Sequence, residues 1–190
     1  PEVERIAAHF FAGHRPAGVT GEADEEIIVA LDMCILGAEE QDTLNAEVRR
    51  RAGIGSQFMC HFSHTHSAPP SRLAHVDRPG GDLIPAYLDH LASQVTAAVT
   101  EARSEVRPAS IVFGQADCAM GSNRDLWDPV TRQFVCGFNP DGPFDPTVLV
   151  GRVTDAGGNV IATLVNYACH PTTLAWQNSL ISPDFPGATR

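Results

Sequence analysis

The sequence predicts an α/β fold, a mixed β-sheet holding a βαβ unit and an antiparallel hairpin, on three observations. The first is the run Glu26–Met33, EIIVALDM, nearly continuous in apolar side chains and long enough for one strand buried on both faces. The second is the stretch Glu39–Ala52, EEQDTLNAEVRRRA, followed by another apolar run, Gln57–Ser63, QFMCHFS. Its acidic residues come early and its arginines late, which suits the helix dipole, and Gly53 and Gly55 stop it. Strand, helix and strand in so short a span make a parallel pair with a crossover helix. The third is the pair of apolar runs Thr147–Thr154 and Asn159–Cys169, joined by Asp155-Ala-Gly-Gly158, a turn sequence that closes a hairpin.

The remaining elements follow in order. No strand is expected ahead of His9, and Glu26 opens the first recognisable element. A loop rich in His, Ser, Pro and Gly runs from His64 to Gly81. Asp82 is the expected N-cap of a helix over Leu83–Val106, with Leu88, Leu91, Val95, Ala98 and Val99 at helical spacing and Pro85 in the first turn. Ala109–Ala116 is a third strand. Residues 117–146 hold many Gly, Pro, Asn and Asp with little periodicity, and read as a long functional loop. His170–Arg190 reads as loop again. The whole, 1–190, is expected to be the N-terminal part of a single catalytic domain, incomplete at both ends.

Composition narrows the function classes. The net charge of −10 over 190 residues, with acidic groups spread along the chain, disfavours a nucleic-acid partner, which needs a basic surface. No apolar run is long enough to cross a bilayer. The five cysteines fit no zinc-ribbon or CxxC spacing, so Cys34, Cys60 and Cys169 are read as small apolar residues, with a Cys118–Cys136 bridge left open. Nucleophile-elbow, Walker, dinucleotide-binding and HExxH motifs are all missing.

Chemistry concentrates where apolar strands end in histidine. Ser63-His64-Thr65-His66-Ser67 follows a buried strand, and ligands gather at the carboxyl ends of strands in α/β sheets. Residues two apart on an extended chain face the same side. His64 and His66 can therefore serve one site, either both as metal ligands or one as ligand and the other as proton carrier. Asn166-Tyr-Ala-Cys-His170-Pro-Thr-Thr173 repeats the pattern. If the two strands are neighbours in the sheet, His64 and His170 converge on a metal centre at strand C-terminal ends. His9, His14, His61, His75 and His90 are read as ordinary boundary histidines. Ser67 and Cys169 point away from the histidines beside them and make no catalytic pair.

These segments resemble those of the neutral ceramidase family. Phe62-Ser-His-Thr-His-Ser-Ala-Pro-Pro70 is similar to its zinc-binding strand and loop, although Ala68 stands where glycine is usual. Val165-Asn-Tyr-Ala-Cys-His-Pro-Thr-Thr173 is similar to its second zinc-histidine segment, and Gly121-Ser-Asn-Arg-Asp125 to its Asn-Arg segment. Asp32 and Leu180-Ile-Ser-Pro-Asp184 also fit, and the likeness runs from about Gly18 onward. The resemblance implies a bacterial ceramidase-like hydrolase with Zn2+ held by His64 and His170. His66 would place substrate or move a proton, and Arg124 would polarise or anchor it. The implied reaction is hydrolysis of an amide, N-acylsphingosine to sphingosine plus fatty acid, by a zinc-activated water. It places the protein in sphingolipid metabolism, with a lipid or small-molecule amide as its partner. Zinc's remaining ligands, a glutamate and a tyrosine, would come from the rest of the catalytic domain. A zinc hydrolase of another amide or ester, or a non-catalytic binding domain on the same scaffold, are the alternatives.

Overall fold

The computed structural model describes residues 7–12, 25–55 and 58–190. The chain divides into two compact units, one of Pro1–Val106 with Pro171–Arg190 and one of Arg107–His170.

The first unit is built on a three-stranded sheet in the order β1-β2-β3, from β1 (Ala7–Ala12), β2 (Glu25–Leu31) and β3 (Phe58–Phe62). β2 and β3 are parallel, in a register that sets Ile27 against Phe58 and Leu31 against Phe62. Helix α1 (Ala38–Ala52) is the crossover between them. The expected βαβ unit is therefore present, Gln57 of the expected strand lying outside the described residues. α1 stops as its composition says it should: Gly53 takes a left-handed φ of 63° and its N–H bonds back to the Arg49 carbonyl. β1 was not expected. It runs antiparallel to β2, pairing Ala7 with Ala30 and Ala12 with Glu25.

Helix α2 (Ile84–Ser104) packs with α1 on this sheet. Its inward stripe is Leu91, Val95 and Val99, all at most 2 % exposed. The core joins these to Ile27, Val29, Leu31, Leu44 and Val48. Asp82 is not the N-cap. It lies in a short 3-10 turn, Gly81–Leu83, that runs into the helix, and the cap position is Leu83 with no side-chain bond. Gly81 is where this turn needs glycine: a Cβ there would sit 2.1 Å from the His75 carbonyl oxygen. The segment after residue 170 is not wholly loop, since α3 (Asp184–Thr189) closes it.

The second unit holds an antiparallel sheet in the order β4-β7-β8, from β4 (Ala109–Asp117), β7 (Thr147–Asp155) and β8 (Val160–Tyr167), and a separate ribbon of β5 (Asn123–Asp128) and β6 (Gln133–Asn139). The β7–β8 turn is as expected, with the Asp155 carboxylate accepting from the N–H groups of Gly157 and Asn159 and Gly158 at φ 82°. The β5–β6 ribbon corrects the reading of residues 117–146 as a structureless loop. Asp128 makes its turn, accepting from the Val130 N–H and the Thr131 hydroxyl. Trp127 and Phe134 face each other across it, ring centroids 5.3 Å apart. The fold class is the expected α/β with a βαβ unit and an antiparallel hairpin, and these two features belong to different sheets.

Candidate metal centre

A βαβ unit places the carboxyl ends of its two strands on one edge. Here that edge carries Asp32 to Cys34 after β2 and Ser63 to His66 after β3. The two strands stay paired past their ends: the Ser63 N–H donates to the Leu31 carbonyl at 2.9 Å and the His64 N–H to the Met33 carbonyl at 3.1 Å. His64 takes a left-handed φ of 63°, a conformation that costs a non-glycine residue about 1–3 kcal/mol and persists where the surroundings fix it. What fixes it is visible on both sides. Its backbone is tied to Met33, and its ring Nδ1 lies 2.9 Å from the Cys34 carbonyl oxygen. A carbonyl only accepts, so Nδ1 is the donor and the lone pair of the neutral ring lies on Nε2. This is how ligating histidines are oriented, with one nitrogen bound to a carbonyl and the other turned to the metal.

His66 lies beside His64, their rings edge to face with centroids 5.2 Å apart. The two imidazoles are thus neighbours in space. Cys34 joins them: one ligand atom from each of Cys34, His64 and His66 falls within 4.8 Å of the others. Cys34 and His64 are half-buried and His66 is exposed. Burial pushes the Cys34 thiol above its usual pKa, with Arg72 pulling the other way. Reading Cys34 as a mere apolar residue was incomplete. A signal existed, because in a βαβ unit the residue just past β2 must lie near the residue just past β3. Cys60 behaves as read: it is buried in the core, and burial raises its pKa to about 12. None of the five cysteines is in a disulfide, so Cys118 and Cys136 form no bridge.

The loop between the histidines is held from beneath. Thr65 is 1 % exposed, and its hydroxyl donates to the Ser182 carbonyl at 2.6 Å while accepting from the Ser67 N–H. The His66 N–H donates to the Pro171 carbonyl, the Ser182 N–H to that of Ser67, and the Asn178 amide to the Ser67 hydroxyl. The partner segment is fixed in turn by Asp184, 7 % exposed and at a left-handed φ of 56°. Its carboxylate accepts from the Thr173 hydroxyl and from the N–H groups of Thr173, Leu174 and Phe185. Asp32, at the end of β2, pairs through both oxygens with Arg190.

In the second unit Arg124 and His170 meet, the guanidinium Nη2 lying 2.6 Å from His170 Nδ1. A guanidinium only donates, so Nδ1 accepts. Tyr167 fixes this corner from β8: its hydroxyl donates to the Cys118 carbonyl at 2.9 Å and accepts from the Gly121 N–H at 2.8 Å. The idea that His64 and His170 end neighbouring strands of one sheet is corrected. β3 and β8 belong to different sheets, because the hairpin pairs with β4 rather than extending the parallel sheet. His61 and His90 are exposed and His75 is half-buried, and none of them joins a metal-ligating group among the described residues. His14, the side chain of His9 and the Gly18 start of the family likeness lie outside the described residues. No described helix is long and apolar enough to cross a membrane.

The fold and this edge define an α/β protein with a cysteine–histidine cluster at the carboxyl ends of a parallel strand pair. Solved structures share that fold. The chain is similar to the neutral ceramidase of Pseudomonas aeruginosa, with TM-score 0.66 and 20% identity over 85% of this chain and 26% of that one. It is also similar to a structure described as ceramidase complexed with C2, with TM-score 0.64 and 20% identity over 84% of this chain and 26% of that one. The chain thus spans about a quarter of the length of these structures, and at this identity the likeness is one of fold. No protein-family model and no curated protein matches the chain.

Proposed function

We propose that the protein is a zinc-dependent hydrolase of an amide bond, ceramidase-like, acting on an N-acylsphingosine or a closely related lipid amide. The observation that carries this is His64: a strained histidine at a strand end, with Nδ1 fixed by a carbonyl and two other metal-ligating groups within 4.8 Å. The donor types fit zinc, which favours imidazole and thiolate. That the solved structures similar in fold are ceramidases supports the substrate class. Zinc, when bound, supplies a Lewis acid that brings the pKa of water to about 7.

The chain's own groups would do the rest. His64 would hold the ion through Nε2, with the Cys34 carbonyl fixing the ring. His66, exposed beside it, would carry a proton to or from a substrate. The segment similarity alone proposes His170 as the second ligand and Arg124 as the donor to the developing negative charge, roles that require the Arg124–His170 bond to open so that a ring lone pair is released to the ion.

Metal analysis of the full protein tests this, beside His64→Ala and His170→Ala. The expected result is about one zinc per chain, lost in both variants together with release of fatty acid from N-acylsphingosine. A protein that stays metal-free when zinc is supplied would sink the reading.

A further inference from the structure

We propose that Cys34 is itself a metal ligand, its thiolate binding the same ion as His64. The inference rests on the metal-centre reading above and adds a donor that the sequence resemblance does not supply.

Three features of the first unit carry it. The Cys34 sulfur is a ligand atom within 4.8 Å of ligand atoms of both His64 and His66, a spacing that small side-chain rotations bring onto one ion. The same residue presents its carbonyl to His64 Nδ1 at 2.9 Å. One residue would thus orient the imidazole through its backbone and share the ion through its side chain. Finally, the position is not free to drift. The strand end just ahead of it is locked by the Ser63-to-Leu31 and His64-to-Met33 backbone bonds, and the histidine loop is held by the buried Thr65.

The chemistry balances simply. As the sulfur–metal bond forms, the thiol proton leaves to solvent, and the ion gains one negative donor. A centre with a thiolate is softer than one built of imidazole and carboxylate alone, and it discriminates toward zinc, cobalt and cadmium over magnesium and calcium.

Cobalt is the probe. The full protein is stripped of metal, titrated with Co(II), and followed by absorption in the visible and near ultraviolet. The expected result is a set of visible bands accompanied by an intense thiolate-to-cobalt charge-transfer band. That band should vanish in Cys34→Ala and persist in Cys169→Ala, with near-ultraviolet circular dichroism reporting that both variants are folded. Zinc affinity in Cys34→Ala should fall by more than the about 10–100-fold that loss of an outer hydrogen-bonding partner gives. A measurement on the unmutated protein guards against a misfolded variant: zinc should block alkylation of Cys34 by iodoacetamide while exposed Cys136 remains labelled.

The outcomes separate the two readings. Visible cobalt bands with no charge-transfer band would overturn the Cys34 ligand and leave the metal hydrolase standing. A charge-transfer band that survives Cys34→Ala and is lost in Cys169→Ala would also overturn it. Failure to bind cobalt or zinc at all would overturn both.

Discussion

At the scale of single residues, the candidate centre is held by side chains that never touch an ion. Asp184 is the clearest of these. It is buried, which opposes its charge, and yet its carboxyl lies below its usual pKa because the Thr173 hydroxyl and the N–H groups of Phe185, Leu174 and Thr173 all donate to it. A depressed folded pKa contributes stability that is complete above the unfolded value and is lost as pH falls through the folded one. Asp184 should therefore support the fold fully at neutral pH and lose that contribution progressively as pH falls from the ordinary carboxyl range toward its own lower folded value. Asp184→Ala leaves several buried donors without an acceptor, at about 1–3 kcal/mol for each that water does not reach. Urea unfolding should show that loss at pH 7 and a smaller difference from the parent protein near pH 3. An equal difference at both pH values would mean that packing, not the carboxylate, matters there. His64 belongs to the same scale. The HxH spacing shows in the sequence, but its left-handed backbone does not, because φ is set by the Met33 and Cys34 carbonyls across the strand pair.

At the scale of elements, the helices were legible because periodicity and packing agree. Leu91, Val95 and Val99 recur on one face of α2 and are the residues the core buries. Leu91→Ala should cost about 2–5 kcal/mol by removing packed methyl groups. Gln94→Ala, at an exposed position of the same helix, should stay within about 0.5 kcal/mol. Denaturant midpoints of the two variants check this, and equal shifts would contradict the observed helix face. The start of α2 was less legible. Asp82 has the right chemistry for a cap, but Gly81, pressed against the His75 and Val76 carbonyls, begins a 3-10 turn first. The β5–β6 ribbon was missed for a related reason. Its Gly, Pro and Asp content resembles a loop, while what makes it a ribbon is cross-strand pairing, such as Trp127 with Phe134, that alternation within one short strand does not reveal.

At the scale of the whole molecule, burial is uneven. Every member of the core cluster comes from the first unit, while among the described residues of the second Val153 is the one buried apolar side chain. Local opening is easiest where few apolar groups are buried. Amide hydrogen exchange should therefore be slowest in β2, β3 and α2 and fastest in β5 and β6, and uniform protection across the two units would contradict this. By itself the sequence determined the α/β class, the βαβ unit, the β7–β8 hairpin and the two histidine segments, since each depends on side-chain periodicity or turn chemistry within a short stretch. Only the tertiary structure decided that β3 and β8 lie in different sheets, that His64 is strained and oriented by the Cys34 carbonyl, and that Cys34 lies beside His64 and His66 in a group able to hold a metal. Those facts come from strand order and from hydrogen bonds between residues far apart in the chain, which no local pattern encodes.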